Sequence, residues 1–321
     1  MPNIVAHCWY GDVAITKSNT DRLRKIINKY HGVFLFGCQG PDPFYFYHRL
    51  PWQSQKNIKE VRDYGNIIHR THINDTFRMF MEYTKETQNE EDIAFVAGFM
   101  NHWALDHICH PYIFYETDSL TENIGNAHQV FETMIDKGVL DVNGLKRSDY
   151  VTYKLLAHPK DAFDRIYEIY KIVFKTLDNK DIEKEHVINS YETFYGMQKV
   201  FYDPNGGKYK WVGILENLVK AKGLATSMMI PNDYDYETDP MNFRHEEWVH
   251  PCDDTLKSTE SFEELGARAA GIGILLMELY EKYLAGENDG QSILDIIGNK
   301  GFDTGMEHRV EMKYFKRDLK K

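Results

Sequence analysis

Apolar residues recur at three- and four-residue intervals along most of the chain, and strand-like alternation is almost absent. This period predicts amphipathic helices over 4–16, 20–29, 66–85, 91–109, 124–137, 159–176, 181–201, 209–225 and 259–285. Proline and glycine predict the joints: GCQGPDP at 37–43, HP at 110–111, DPNGG at 203–207 and IPND at 230–233. The stretch 230–257 carries Tyr234, Tyr236, Phe243 and Trp248 and reads as an ordered loop. The expected fold is therefore all-α, a compact multi-helix domain over residues 1–285. After Gly286 the pattern weakens, and 286–321 reads as a C-terminal extension with a basic end. Its residues 309–321 hold six Lys or Arg against two acids.

Composition refines this picture modestly. The 321 residues are 42% hydrophobic, the profile of a soluble globular protein large enough for a sizeable core. Aromatic residues reach 14%, so core and clefts should be rich in rings. A formal charge of −11 repels a phosphate backbone, so no long nucleic acid is expected as a partner. Cys8, Cys38, Cys109 and Cys252 form no CxxC pair and read as reduced core residues. The N-terminus lacks a basic region followed by an apolar run, and no stretch of 18 apolar residues occurs. A cytoplasmic protein without signal peptide or transmembrane helix is the expectation.

Candidate chemistry concentrates in FVAGFMNHWALDHICHPYI, residues 95–113. Positions four apart on a helix differ by about 40° around its axis, so His102, Asp106 and His110 share one face. Two imidazoles and a carboxylate are common zinc ligands, and a central Asp106 can bridge two ions. Taken alone, the stripe fits a metal site as well as it fits hydrogen-bonded core histidines. A second helical pair, His128 and Glu132, can chelate one ion or form a surface pair. His69 and His72 lie one turn apart, and at least one should face solvent. Asp42 sits between prolines in a fixed turn, and His7 opens the first helix beside Trp9. Competing motifs fail: GxxxxGK[ST], GxSxG and HExxH are absent. The dipeptide Asp106-His107 reverses the His-Asp order of one phosphohydrolase class. A ferritin-like site would need a second ExxH besides Glu183–His186.

In this order His7, Asp42, His69, the His102–Asp106–His110 helix and the His128–Glu132 pair resemble the bacterial zinc-dependent phospholipase C family. Its wider superfamily includes the single-strand-specific zinc nucleases of moulds. The match covers roughly residues 1–137. It implies a cluster of two or three zinc ions in a helical cleft. One ion would take Asp42, His69, His102 and Asp106. A second would take His110, His128 and Glu132, and a third His7 with a share of Asp106. The implied activity is phosphoric ester hydrolysis by metal-activated water, with Asp42 a catalytic orienting base and Phe44, Tyr45 and Phe46 lining the substrate pocket. Phospholipid headgroups or small soluble phosphoesters are the implied substrates. A nuclease or nucleotidase on the same scaffold, or a non-catalytic metal-binding helical domain, are the alternatives. Three departures stand out: Met1-Pro2 precedes His7 where secreted relatives begin with a ligating Trp, the Asp106–His110 gap is shorter, and no C-terminal β-sandwich is expected from these 321 residues.

Overall fold

In the computed structural model α6 (Glu90–Thr117) runs through the middle of the molecule. The structure describes residues 4–49, 53–117, 127–156, 160–220, 223, 225–308 and 310–316. Phe95, Phe99, Trp103, Tyr112 and Ile113 lie on different sides of α6 and are all buried, so the helix is enclosed rather than amphipathic. Around it pack α1 (Ile4–Lys17), α2 (Arg22–Lys29), α3 (His31–Gly37), α5 (Ile73–Thr87), α7 (Ala127–Val142), α9 (Lys160–Leu177) and α12 (Phe262–Leu284). A short 3-10 turn, Asp42–Phe46, is held between α4 (Ile58–Arg70) and α10 (Lys184–Phe201). The remaining helices are α8 (Thr152–Leu155), α11 (Gly207–Leu218) and α13 (Gln291–Ile297). The all-α expectation is borne out. The aromatic loop adds one small antiparallel hairpin, β1 (Trp248–His250) with β2 (Asp253–Ser258), pairing Val249 with Lys257.

Several joints differ from the sequence pattern for identifiable reasons. Pro111 does not end a helix: α6 continues to Thr117 because Tyr112 and Ile113 are buried, and the Tyr112 hydroxyl donates to Pro240 O at 3.1 Å. The single helix expected over 66–85 is two. Thr71 is extended and His72 left-handed, with φ of 51°, so the chain turns between α4 and α5. Residues 299–303 fill that break. The Phe302 amide donates to His69 O (3.2 Å), and the Asn74 amide to Asn299 Oδ1 (2.9 Å). Thus part of the segment beyond Gly286 is packed into the body: α13 lies against α5 and α12, and Phe302 is fully enclosed. All four cysteines are free thiols, three of them buried. No described helix is long and apolar enough to cross a membrane.

Two contacts position the site. Asp136 of α7 accepts the backbone amides of Val5 (3.1 Å) and Ala6 (2.9 Å), closing the first turn of α1 just before His7. On the other side α3 and α6 touch backbone to backbone at Gly37 and Gly98. A Cβ on Gly98 would lie 2.1 Å from Phe34 O, and one on Gly37 would lie 2.1 Å from Phe95 O. Gly98→Ala must separate the two helices and is expected to cost about 1–3 kcal/mol, the range for an overpacked core. Urea unfolding checks this; an unchanged midpoint would show that the crossing tolerates a side chain.

Candidate metal centre

Four segments besides α6, namely α1, α4, α7 and the 3-10 turn, deliver side chains to one face of it. His102, Asp106 and His110 project from α6 itself, and all three are buried. Asp42 comes from the 3-10 turn, where Pro41 and Pro43 fix the backbone beside it. His69 comes from the last turn of α4, and His7 from the first turns of α1. Asp42, His69, His102 and Asp106 each offer a donor atom, and these atoms lie within 4.8 Å of one another. His110, His128 and Glu132 form a second group meeting the same limit. Asp106 joins the parts: Oδ1 is 3.3 Å from His7 Nε2, while Oδ2 is 3.2 Å from His102 Nε2 and 3.9 Å from His69 Nε2. His72 points away and its side chain is 46% exposed, so it is His69 that reaches the cluster.

For four of the five rings, all but His7, the outer side explains the orientation. His69 Nδ1 donates to Gly65 O (2.8 Å), His102 Nδ1 to Cys38 O (3.1 Å) and His110 Nδ1 to Phe302 O (2.7 Å). A carbonyl can only accept, so Nδ1 carries the proton and the Nε2 lone pair faces inward. His128 follows the same logic, because Thr117 Oγ1 already donates to Ile113 O and therefore accepts from His128 Nδ1 at 3.0 Å. Outer hydrogen bonds of this kind orient metal-ligating histidines. Gly40, with φ of 53°, lets the chain pass against the His102 ring; a Cβ there would lie 2.0 Å from ring carbon Cδ2.

The inner atoms provide the test of fit. His7 Nδ1 and Nε2, Asp42 Oδ1, His69 Nε2, His102 Nε2, both Asp106 oxygens and His110 Nε2 are buried without a hydrogen-bond partner among the described residues. Buried polar atoms are nearly always satisfied, and such a concentration fits a site for a bound cation. Burial holds the imidazoles of His7, His69, His102, His110 and His128 below their ordinary value, which keeps them in the neutral, ligating form. Burial, and for Asp42 the adjacent Asp106 charge, raises both carboxylates. A bound divalent cation reverses that penalty. The nitrogen and oxygen donors suit zinc.

The family model of zinc dependent phospholipase C matches residues 6–181, more than half of the 321-residue chain. The chain belongs to the zinc-dependent phospholipase C family. No curated protein and no solved structure matches it. The seven residues of these two groups, and His7, lie inside the family match. Met1 and Pro2, which precede His7 in place of the Trp of secreted relatives, lie outside the described residues.

Beside the cluster opens a cleft of about 310 Å³, walled by Tyr45, Phe46, Phe114, Ser227 and Asp303, with His69, His110, His128 and Glu132 in its lining. The aromatic trio expected there divides. Phe46 and Tyr45 face the cleft, the Tyr45 hydroxyl donating to Asn66 Oδ1 at 3.1 Å. Phe44 turns inward and is enclosed by Tyr64, Tyr170 and Tyr191. Sequence reading missed Arg49, Arg62 and Arg70 on the cleft wall. Arg70 pairs with Asp303 at 3.0 Å, whereas Arg49 and Arg62 meet no carboxylate among the described residues. It also missed Phe302, whose ring packs on His69 and His102 while its carbonyl orients His110. The local signal was slight: one aromatic residue in the glycine-flanked run Gly301–Gly305.

Replacing Asp106 with Ala is expected to give the lowest metal content of any single-ligand variant. Its affinity loss should exceed the roughly 10–100-fold typical of losing an outer hydrogen-bond partner. Elemental analysis after dialysis reads this; full occupancy in Asp106→Ala would refute the shared role.

Proposed function

We propose that this protein is a metal-dependent phosphoric ester hydrolase of phospholipase C type. The observation that carries the reading is the set of inward donors without hydrogen-bond partners beside a cleft that also presents Arg49 and Arg62, neither of which meets a carboxylate among the described residues. In this reading Asp42, His69, His102 and Asp106 hold one zinc, His110, His128 and Glu132 a second, and His7 with Asp106 a third. Bound zinc supplies Lewis acidity toward phosphoryl oxygen and lowers the pKa of water toward about 7. Three protein donors at the second group leave a position for water or substrate, as catalytic zinc requires, and that group opens on the cleft.

The chain's own residues supply the remaining tasks. Asp42, next to His69 at 3.2 Å, is placed to orient a water and accept its proton. Arg49 and Arg62 draw an anionic phosphoester toward the cluster against the field of an otherwise acidic protein. Arg49 also lies over the Phe46 ring, 5.6 Å from its centre, which holds the guanidinium at the cleft rather than in bulk water. Tyr45 and Phe46 form the apolar side of the same wall. Closed structural zinc sites lack such an approach, so the non-catalytic alternative fits less well.

Metal-loaded protein should hydrolyse at least one member of a panel of phosphocholine esters, phosphomonoesters and nucleotides. Arg49→Ala and Arg62→Ala should each raise KM about fivefold with little change in kcat, the scale of about 1 kcal/mol for a partly exposed charge contact. Fully loaded protein inactive on the whole panel would overturn the reading. Unchanged KM in both variants would remove the arginines from substrate binding.

A further inference from the structure

Helix α11 presents its apolar stripe to solvent. Trp211, Ile214, Leu215, Leu218 and the following Val219 recur at the spacing that normally faces a core. Here they are 69%, 51%, 58%, 74% and 71% exposed. The helix is not loosely turned. Glu216, on its opposite side, is buried and accepts from the backbone amides of Gly223, Ala225 and Thr226 and from the Thr226 hydroxyl. These four bonds lock the rotation of α11, so the apolar face is held outward by the fold. Five large apolar side chains on one exposed face mark an interaction surface.

Charge selects the occupant. Between Gly207 and Lys220 the exposed ionic residues are Lys208, Lys210 and Lys220, and the one acid, Glu216, is turned inward. Lys208 is tied to the end of α10 through Val200 O and Tyr202 O, while Lys210, which precedes Trp211, and Lys220, which follows Val219, are exposed. On a chain of net charge −11 this is a basic, tryptophan-bearing amphipathic face. Helices of that kind lie in a membrane interface, their rings at headgroup level and their lysines on lipid phosphates. A second copy would bring two such lysine-flanked faces together between two acidic bodies. Position supports the same occupant. The turn that Glu216 grips leads into the 3-10 turn Thr226–Met228, whose Ser227 lines the metal cleft.

We propose that α11 is an interfacial docking helix that seats the protein on an anionic phospholipid surface beside the mouth of its metal cleft. The link to catalysis rests on the hydrolase reading above; the docking itself does not. The test is co-sedimentation of the full chain with phosphatidylcholine vesicles containing about 30% phosphatidylglycerol. Wild type is compared with a Trp211→Ser, Leu215→Ser, Leu218→Ser variant, whose positions are exposed and whose fold circular dichroism verifies. Wild type should pellet with the vesicles, and the variant should bind roughly tenfold or more weakly. The metal-loaded variant should lose hydrolysis of vesicle lipid by a similar factor while keeping its rate on a water-soluble phosphocholine ester. Docking without hydrolysis of either substrate would uphold the helix's role and sink the hydrolase reading. Wild type that stays in the supernatant, or a variant that pellets equally, would overturn the proposal. So would a wild-type dimer that the three substitutions dissociate, since that assigns the face to a second copy.

Discussion

Asp106 lies at the centre of the longest helix, wholly buried, and neither carboxylate oxygen has a hydrogen-bond donor among the described residues. An uncompensated charge at such a place costs on the order of several kcal/mol, and a cation between Asp106 and the imidazoles facing it would remove that cost. Much of the surrounding architecture serves that constraint. Gly37 and Gly98 let α3 approach α6 closely enough for Cys38 O to orient His102. Asp136 pins the start of α1, from which His7 reaches Asp106. Residues 299–303, entering from the far end of the chain, close the α4–α5 break and orient His110.

What could be read from the sequence follows from helical geometry. His102, Asp106 and His110, like His128 and Glu132, are placed on common faces by a four-residue spacing that any helix imposes. Asp42 was legible because prolines on both sides leave its turn little freedom. Choices made by tertiary contacts were not legible. Nothing local decides between His69 and His72; the left-handed residue that breaks the helix does, and segment 299–303 occupies that break. Phe44 and Phe46 are alike in sequence, yet one fills the core and the other walls the cleft. Pro111 signals a stop, but burial of Tyr112 and Ile113 carries the helix onward and brings Phe114 to the cleft. The amphipathy of α11 was plain, whereas its outward direction depends on the bonds made by Glu216.

The molecule therefore separates two tasks. Helices α1, α4, α6 and α7 and the turn after α3 carry the donors, all within the family match. Later segments complete the surroundings: 226–228 and 303 shape the cleft, Phe302 backs the rings, and α11 offers an apolar, basic face nearby. Family membership accounts for the first group. The second lies beyond residue 181, where substrate access and surface preference would be set.

The most direct test of the central claim is crystallography of zinc-loaded protein with anomalous data collected on both sides of the zinc edge. The account predicts anomalous peaks among Asp42, His69, His102 and Asp106 and among His110, His128 and Glu132. A well-ordered map with these side chains in place, zinc in the crystal and no anomalous peak at either group would contradict it.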